Sequence, residues 1–243
     1  MSKEWRDAWW LAKFEFKQTK LNVSLILLGI ILFAFVFSMN LWELRKDTFT
    51  VVFIDWLFVS AVILAPLMGR TKNFALTRVY GDFWGSLYFN YLKQTAISEK
   101  TLVRSRFIIF GCQSLVLNVI LFVIIYFASE SFQNQLSSGS FVLFSLLWII
   151  IGLAVSLSFA ASEVGSEVPS WKMILYCVLF YGGIIAIAIW YYSAAEWGML
   201  GGTILLIEQF PFWTMMSAVI LLIISCYYWN RYAVKMMHKN NYL

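Results

Sequence analysis

The chain has 243 residues, 61% hydrophobic and 13% charged, with a mean hydropathy of +0.77 and a formal net charge of +5. Soluble domains carry about 45–50% apolar and about 25% charged residues, so an ordinary soluble domain is excluded and lipid must be the main solvent. The positive charge does not indicate nucleic acid, because the 12 Trp and 22 Phe lie on apolar runs.

Residues 2–20 read as a helix lying in the membrane interface, an elbow before the first span. At 100° per residue Trp5, Ala8, Trp9, Ala12 and Phe16 share one face, and Arg6, Lys13, Lys17 and Lys20 its neighbour. Trp10, Leu11 and Phe14 lie on a third side, which suits a helix wedged between lipid and protein. A bilayer core takes about 20 mostly apolar residues per helix. Six runs qualify: about 22–41, 49–68, 107–128, 141–159, 173–192 and 212–229. The expected fold is therefore all-α, a polytopic membrane protein with one transmembrane domain over 1–243.

Basic residues orient the spans, since Lys and Arg stay with the cytoplasmic loops. Sixteen fall on one side: Lys3, Arg6, Lys13, Lys17, Lys20, Arg70, Lys72, Arg78, Lys93, Lys100, Arg104, Arg106, Lys172, Arg231, Lys235 and Lys239. Only Arg45 and Lys46 fall on the other. Both termini are accordingly expected in the cytoplasm and the protein in the cell membrane.

The 69–106 loop mixes charges with Tyr80, Phe83, Trp84, Tyr88, Phe89 and Tyr91, a composition that a disordered tether would avoid. Tyr80 to Lys93 reads as a short amphipathic helix. Ser98 reads as the cap of a helix that continues through Arg104 and Arg106 into the third span. The loop is thus expected to be folded and to present a surface to a partner. Residues 193–211 contain Glu196, Gly198, Gly201, Gly202 and Glu208 with no Lys or Arg. They read either as a broken, re-entrant segment on the outer side or as an ordinary outer loop.

Chemistry-bearing constellations are scarce. No phosphate loop, zinc-protease motif or nucleophile elbow occurs, and Cys112, Cys177 and Cys226 lie apart in apolar runs. His238 is the one imidazole. No catalytic residue, metal site or cofactor is therefore assigned to the chain. Asp55 is the one acid well inside a span, where a charge costs about 3 kcal/mol at mid-depth. It either faces a polar conduit or a subunit interface, or it reaches the outer headgroups or pairs with Arg45 or Lys46. Gln113 and Asn118 in the third span read as hydrogen-bonding glue or as lining of a path or interface. Gly152, Ser156 and Ala160, spaced by four, form a small-residue face suited to close helix packing, within the chain or between copies.

An elbow helix, six spans, a folded loop between spans two and three and a broken outer segment before span six together resemble the permease subunit of type-2 ATP-binding-cassette exporters, of Gram-positive bacterial type. The stretch from Tyr91 to Arg106 (YLKQTAISEKTLVRSR) is similar to the family's Leu-Pro-Ile-Ser-like run before the third span, with Ala96-Ile97-Ser98 where Pro-Ile-Ser is usual. The resemblance implies a separate cytoplasmic ATPase subunit that carries the ATP and Mg, and a second copy or homologous permease chain. It also implies a coupling segment at about 80–92, with Tyr80, Asp82, Phe83, Trp84, Tyr88 and Tyr91 at the contact and Trp5, Trp9 and Phe16 in the elbow. The expected cargo is hydrophobic or amphipathic: an antimicrobial or other peptide, a lipid or a drug. The rival reading is an ATP-independent six-span protein, a scaffold or a small secondary carrier.

Overall fold

The computed structural model describes residues 3–40, 48–71, 73–129, 133, 136–172, 174–176, 178–179, 182–183, 192 and 198–239. In chain order the elements are α1 (Lys3–Gln18), α2 (Lys20–Asn40), α3 (Thr48–Met68), β1 (Leu76–Tyr80), β2 (Phe83–Ser86), α4 (Leu87–Lys93), α5 (Glu99–Ala128), α6 (Ser138–Ser162), β3 (Ser166–Glu167), α7 (Gly198–Gln209) and α8 (Pro211–Lys239). Five helices among the described residues, α2, α3, α5, α6 and α8, are long and apolar enough to cross a membrane. They are apolar around most of their circumference, as lipid-facing helices must be. The chain is thus a mostly helical, membrane-embedded polytopic protein. The expected span over 173–192 lies largely outside the described residues.

Two apolar cores hold the molecule together. The first fills the bundle and centres on Phe58 of α3, which is fully buried. Its ring meets Phe37 of α2, Phe122 of α5 and Phe144 and Trp148 of α6, with centroids 5.0–6.1 Å apart. Gly152 and the buried Ser156 and Ala160 turn inward, so the small-residue face of α6 serves packing within the chain. Gly152 in particular lets Val62 of α3 and Asn118 of α5 approach the α6 backbone. The second core lies at one end of the bundle, where Leu11, Phe89, Leu92, Val103, Val164 and Met237 meet. It brings α1, α4, α5, the residues after α6 and the end of α8 into one cluster.

The loop after α3 departs from the expected helix over 80–93. Only Leu87–Lys93 is helical, and Tyr80, Asp82, Phe83 and Trp84 stand on a β-hairpin instead. β1 and β2 pair antiparallel around the turn at Gly81-Asp82, and β3 adds a third strand beside β2 in the order β1-β2-β3. Two local facts favour the hairpin. Gly81 adopts φ +48°, open to glycine, and β3 arrives from more than 80 residues away to pair Phe83 with Glu167 and Trp84 with Ser166. Gly165 is required there: a Cβ at φ +91° would lie 2.8 Å from the Trp84 carbonyl oxygen and against the Phe83 ring. Ser86 then caps α4 and Ser98 caps α5, each accepting a backbone N–H three residues on.

The elbow is helical as expected, but its buried stripe is Ala8, Leu11, Ala12 and Glu15. Trp5 and Trp9 are about half exposed, so the face that enters the protein is rotated away from the tryptophans.

Candidate functional site

Between the two cores four charged side chains meet. Glu15 comes from the buried stripe of α1, Arg70 from just past α3, Arg106 from α5 and Glu163 from the C-cap of α6. Each is at most 7% exposed. Arg70 grips Glu163 with a two-pronged contact, Nε to Oε1 at 2.8 Å and Nη2 to Oε2 at 2.7 Å, and its Nη1 donates to Glu15. Arg106 donates to Glu163 at 3.3 Å and lies 2.5 Å from the second Glu15 oxygen, a charge contact rather than an aligned hydrogen bond. Two carboxylates and two guanidinium groups thus alternate, each acid shared between both arginines.

Buried charges are tolerated only when their attraction and hydrogen bonds offset lost hydration, and bidentate arginine–carboxylate geometry does that best. Burial pushes the Glu163 carboxyl up from its ordinary range, opposed first by Arg70 and then by Arg106. Aromatic rings complete the enclosure. The Arg70 guanidinium lies 5.6 Å from the Phe74 ring and 5.1 Å from Phe110, and Arg106 lies 5.9 Å from both Tyr88 and Phe89. Such stacking favours arginine over lysine.

The quartet fastens the folded loop to the bundle. Tyr88 of α4 packs against Phe14 of α1 and Phe74 of the loop, at 6.3 and 4.7 Å between ring centroids. The Ser86 backbone N–H donates to the Glu163 carbonyl at 3.2 Å. Lys93 Nζ donates to the Met237 carbonyl at 2.7 Å, and His238 lies 3.1 Å from Glu99, so α8 ends on the same module. Displacing hairpin or α4 as a body therefore strains contacts to α1, α3, α5, α6 and α8 together.

The residues proposed for a partner contact divide into two sets. Tyr80 and Tyr91 are 50% and 65% exposed, and Asp82 is exposed beside Arg78. Phe83 is buried, Trp84 is half-buried and opposite Arg78 in the register, and Tyr88 is committed to the aromatic joint. The first set presents the more exposed surface. Of the elbow residues, Trp5 and Trp9 are exposed and Phe16 is half-buried.

Asp55, Gln113 and Asn118 do not form one site. Asp55 is fully buried and accepts from the backbone N–H of Met199 and Leu200 and from the Tyr192 hydroxyl, at 3.3 Å for Leu200 and 2.7 Å for Tyr192. It caps the start of α7 rather than reaching headgroups; Arg45 and Lys46 lie outside the described residues. Asn118 donates to the Val62 carbonyl at 3.3 Å and to Ser114 Oγ at 3.2 Å. Gln113 is 4% exposed, and neither atom of its amide has a hydrogen-bond partner among the described residues.

The orienting, capping and span patterns of the sequence single out neither Glu15 nor Glu163; Arg70 enters there as an orienting charge, and Arg106 as an orienting charge and as part of the helix entering the third span. One signal was available: Glu15 continues the stripe Ala8, Leu11, Ala12 at helical spacing, placing an acid on the buried side of the elbow. Among the described residues no group of three or more His, Cys, Asp or Glu could hold a metal ion. No protein-family model, no curated protein and no solved structure matches the chain.

Proposed function

We propose that this chain is the permease subunit of an ATP-driven exporter, with six spans and both termini on the cytoplasmic side, driven by a separate ATPase subunit through the 69–106 segment. The observation that carries the reading is the way the quartet joins a folded, partly exposed loop module to the ends of the spans and to the elbow. Force applied at Tyr80, Asp82 or Tyr91 would reach the ends of α3, α5 and α6 with little loss in flexible backbone. A bundle with two arrangements biased by nucleotide needs such a joint.

The six-span count draws support from the ends of the described segments. Glu163 lies at the quartet end of the bundle, whereas Gly198 lies beside Asp55, 13 residues before the quartet end of α3. At 1.5 Å per residue this separates them by about 20 Å along that helix, a separation that supports a further span over 173–192. The start of the chain and the end of α8 also meet in the second core, through Leu11 and Met237.

A second permease chain, identical or homologous, would complete the path, and surrounding lipid would meet the exposed apolar sides of α2 and α8. The cargo class that fits so apolar a bundle is a hydrophobic or amphipathic molecule: a peptide, a lipid or a drug. ATP and Mg would reside on the partner subunit.

The test is affinity purification of the full chain from its native membrane in mild detergent. A stoichiometric subunit with a phosphate-loop motif, lost on Tyr80→Ala with Tyr91→Ala, is the expected result. A chain that purifies alone even after cross-linking would overturn the exporter reading in favour of an ATP-independent membrane protein.

A further inference from the structure

α8 changes character as it reaches the quartet end of the bundle. Its exposed residues are apolar as far as Ile224, and aromatic and basic ones take over from Tyr227. Arg231 stands 20 residues past Pro211. At 1.5 Å per residue that is about 30 Å, the thickness of a bilayer's hydrocarbon core. Around it the rings of Tyr228, Trp229 and Tyr232 pack on one another with centroids 5.0–6.4 Å apart. Such a belt marks the level of the lipid headgroups.

Tyr228, Arg231, Tyr232 and Lys235 stand at i, i+3, i+4 and i+7 and so share one face of α8. The same face continues upward through Ile224 and Leu221, which are 58% and 49% exposed. Beside it lie the helical residues 170–172 and 174–176, since Tyr176 interacts electrostatically with Tyr232. Lys172 is one turn before Tyr176, so it falls near the depth of Lys235. Arg231 donates to the Tyr227 hydroxyl at 2.6 Å, and Lys172 lies 5.4 Å from the Trp171 ring. All three cations are exposed, and none has a carboxylate within ion-pair distance among the described residues. The acids Glu99 and Glu163 at this end are held by His238 and by the quartet arginines.

We infer that this face binds an anionic phospholipid, its phosphate held by Arg231, Lys235 and Lys172 and its acyl chains lying along Ile224 and Leu221. The inference stands on membrane embedding alone and not on the exporter reading. Three cations without carboxylates select an anion, and a guanidinium suits the oxygens of a phosphate. The depth of the aromatic belt puts that anion at headgroup level. A free phosphate would leave the apolar stripe unused, whereas a lipid fills stripe and charge together. Lys and Arg close to a membrane surface strengthen attraction to acidic lipid in this way.

The experiment is native mass spectrometry of the full chain in mild detergent, titrated with phosphatidylglycerol or with phosphatidylcholine of the same acyl chains. The unsubstituted chain should prefer phosphatidylglycerol at least about tenfold, and the preference should drop below about twofold when Lys172, Arg231 and Lys235 are all changed to Gln. The control changes Lys13, Lys17 and Lys20 of the elbow to Gln, which removes equal charge elsewhere and should leave most of the preference in place. A preference unchanged in the first variant, or lost equally in both, overturns the site. Competition by excess glycerol 3-phosphate would show an anion site without a lipid and overturn it as well. A photoactivatable phosphatidylglycerol tests the unsubstituted chain directly. Cross-links should map to 170–179 and 221–235, and labelling confined to other segments would refute the assignment even if the triple variant fails to fold.

Discussion

At the scale of single residues, the balance of charge among Glu15, Arg70, Arg106 and Glu163 is the most sensitive feature of the molecule. Removing one member leaves a buried charge short of its partner, a loss of about 3–5 kcal/mol. Arg106→Met should therefore lower the thermal midpoint in detergent sharply. Glu163→Gln should cost less than Glu163→Ala, because the amide keeps an acceptor for Arg70 and burial already disfavours the charged carboxyl. The double variant Arg106→Met with Glu163→Gln should lose less than the sum of its parts; strict additivity would show that the four charges are not coupled. Gln113 offers the opposite case. Its amide is buried without a hydrogen-bond partner among the described residues, so Gln113→Leu should raise the midpoint, by about 1 kcal/mol or more in stability. A lowered midpoint would mean that the amide is satisfied in the membrane.

Among the elements, the hairpin and α7 each depend on one distant contact. The hairpin is short and gains its third strand only because Gly165 brings β3 against Trp84. Gly165→Ala forces both a strained φ and a clash with Phe83, a cost of about 1–3 kcal/mol. Proteolytic nicking within 76–86 should then accelerate several-fold, while the spans stay protected. α7 is held by the Asp55 carboxyl group, whose oxygens accept its first N–H groups. Hydrogen exchange at Met199 and Leu200 should rise strongly in Asp55→Ala and less in Asp55→Asn, which keeps one acceptor oxygen. Equal exchange in all three proteins would remove Asp55 from the role of cap. The tight-turn glycine and the strand from beyond α6 also explain why 80–86 does not continue the helix that its aromatic spacing suggests.

For the whole molecule, the two cores divide the work. The bundle core around Phe58 joins α2, α3, α5 and α6, and the second core gathers both extremities of the described chain around α4. Single cysteines placed at Lys3 and Lys239 should consequently be labelled by a membrane-impermeant reagent from the same side of intact vesicles. Labelling from opposite sides would be incompatible with six spans. Because the folded loop, the elbow and the end of α8 share one core, loosening any of them should be felt at the others. Met237→Ala should increase exchange in Leu87–Lys93 as well as in α8, since Met237 is buried beside Phe89 and Leu92.

Composition and runs of apolar residues alone determined that the chain is membrane-embedded, roughly where its five described apolar helices lie, and that the segment after α3 is folded. These are one-dimensional properties: transfer of about 20 apolar residues into lipid is favourable whatever their neighbours. The cap at Ser98 was legible for the same reason, being a contact between residues three apart. Tertiary structure alone decided which charges pair. Glu15, Arg70, Arg106 and Glu163 are separated by up to 148 positions, and only the convergence of α1, α3, α5 and α6 places them within hydrogen-bonding distance. Read one residue at a time, each is a polar group at a membrane boundary. Packed together and closed off from water by aromatic rings, they become the joint between the loop and the bundle.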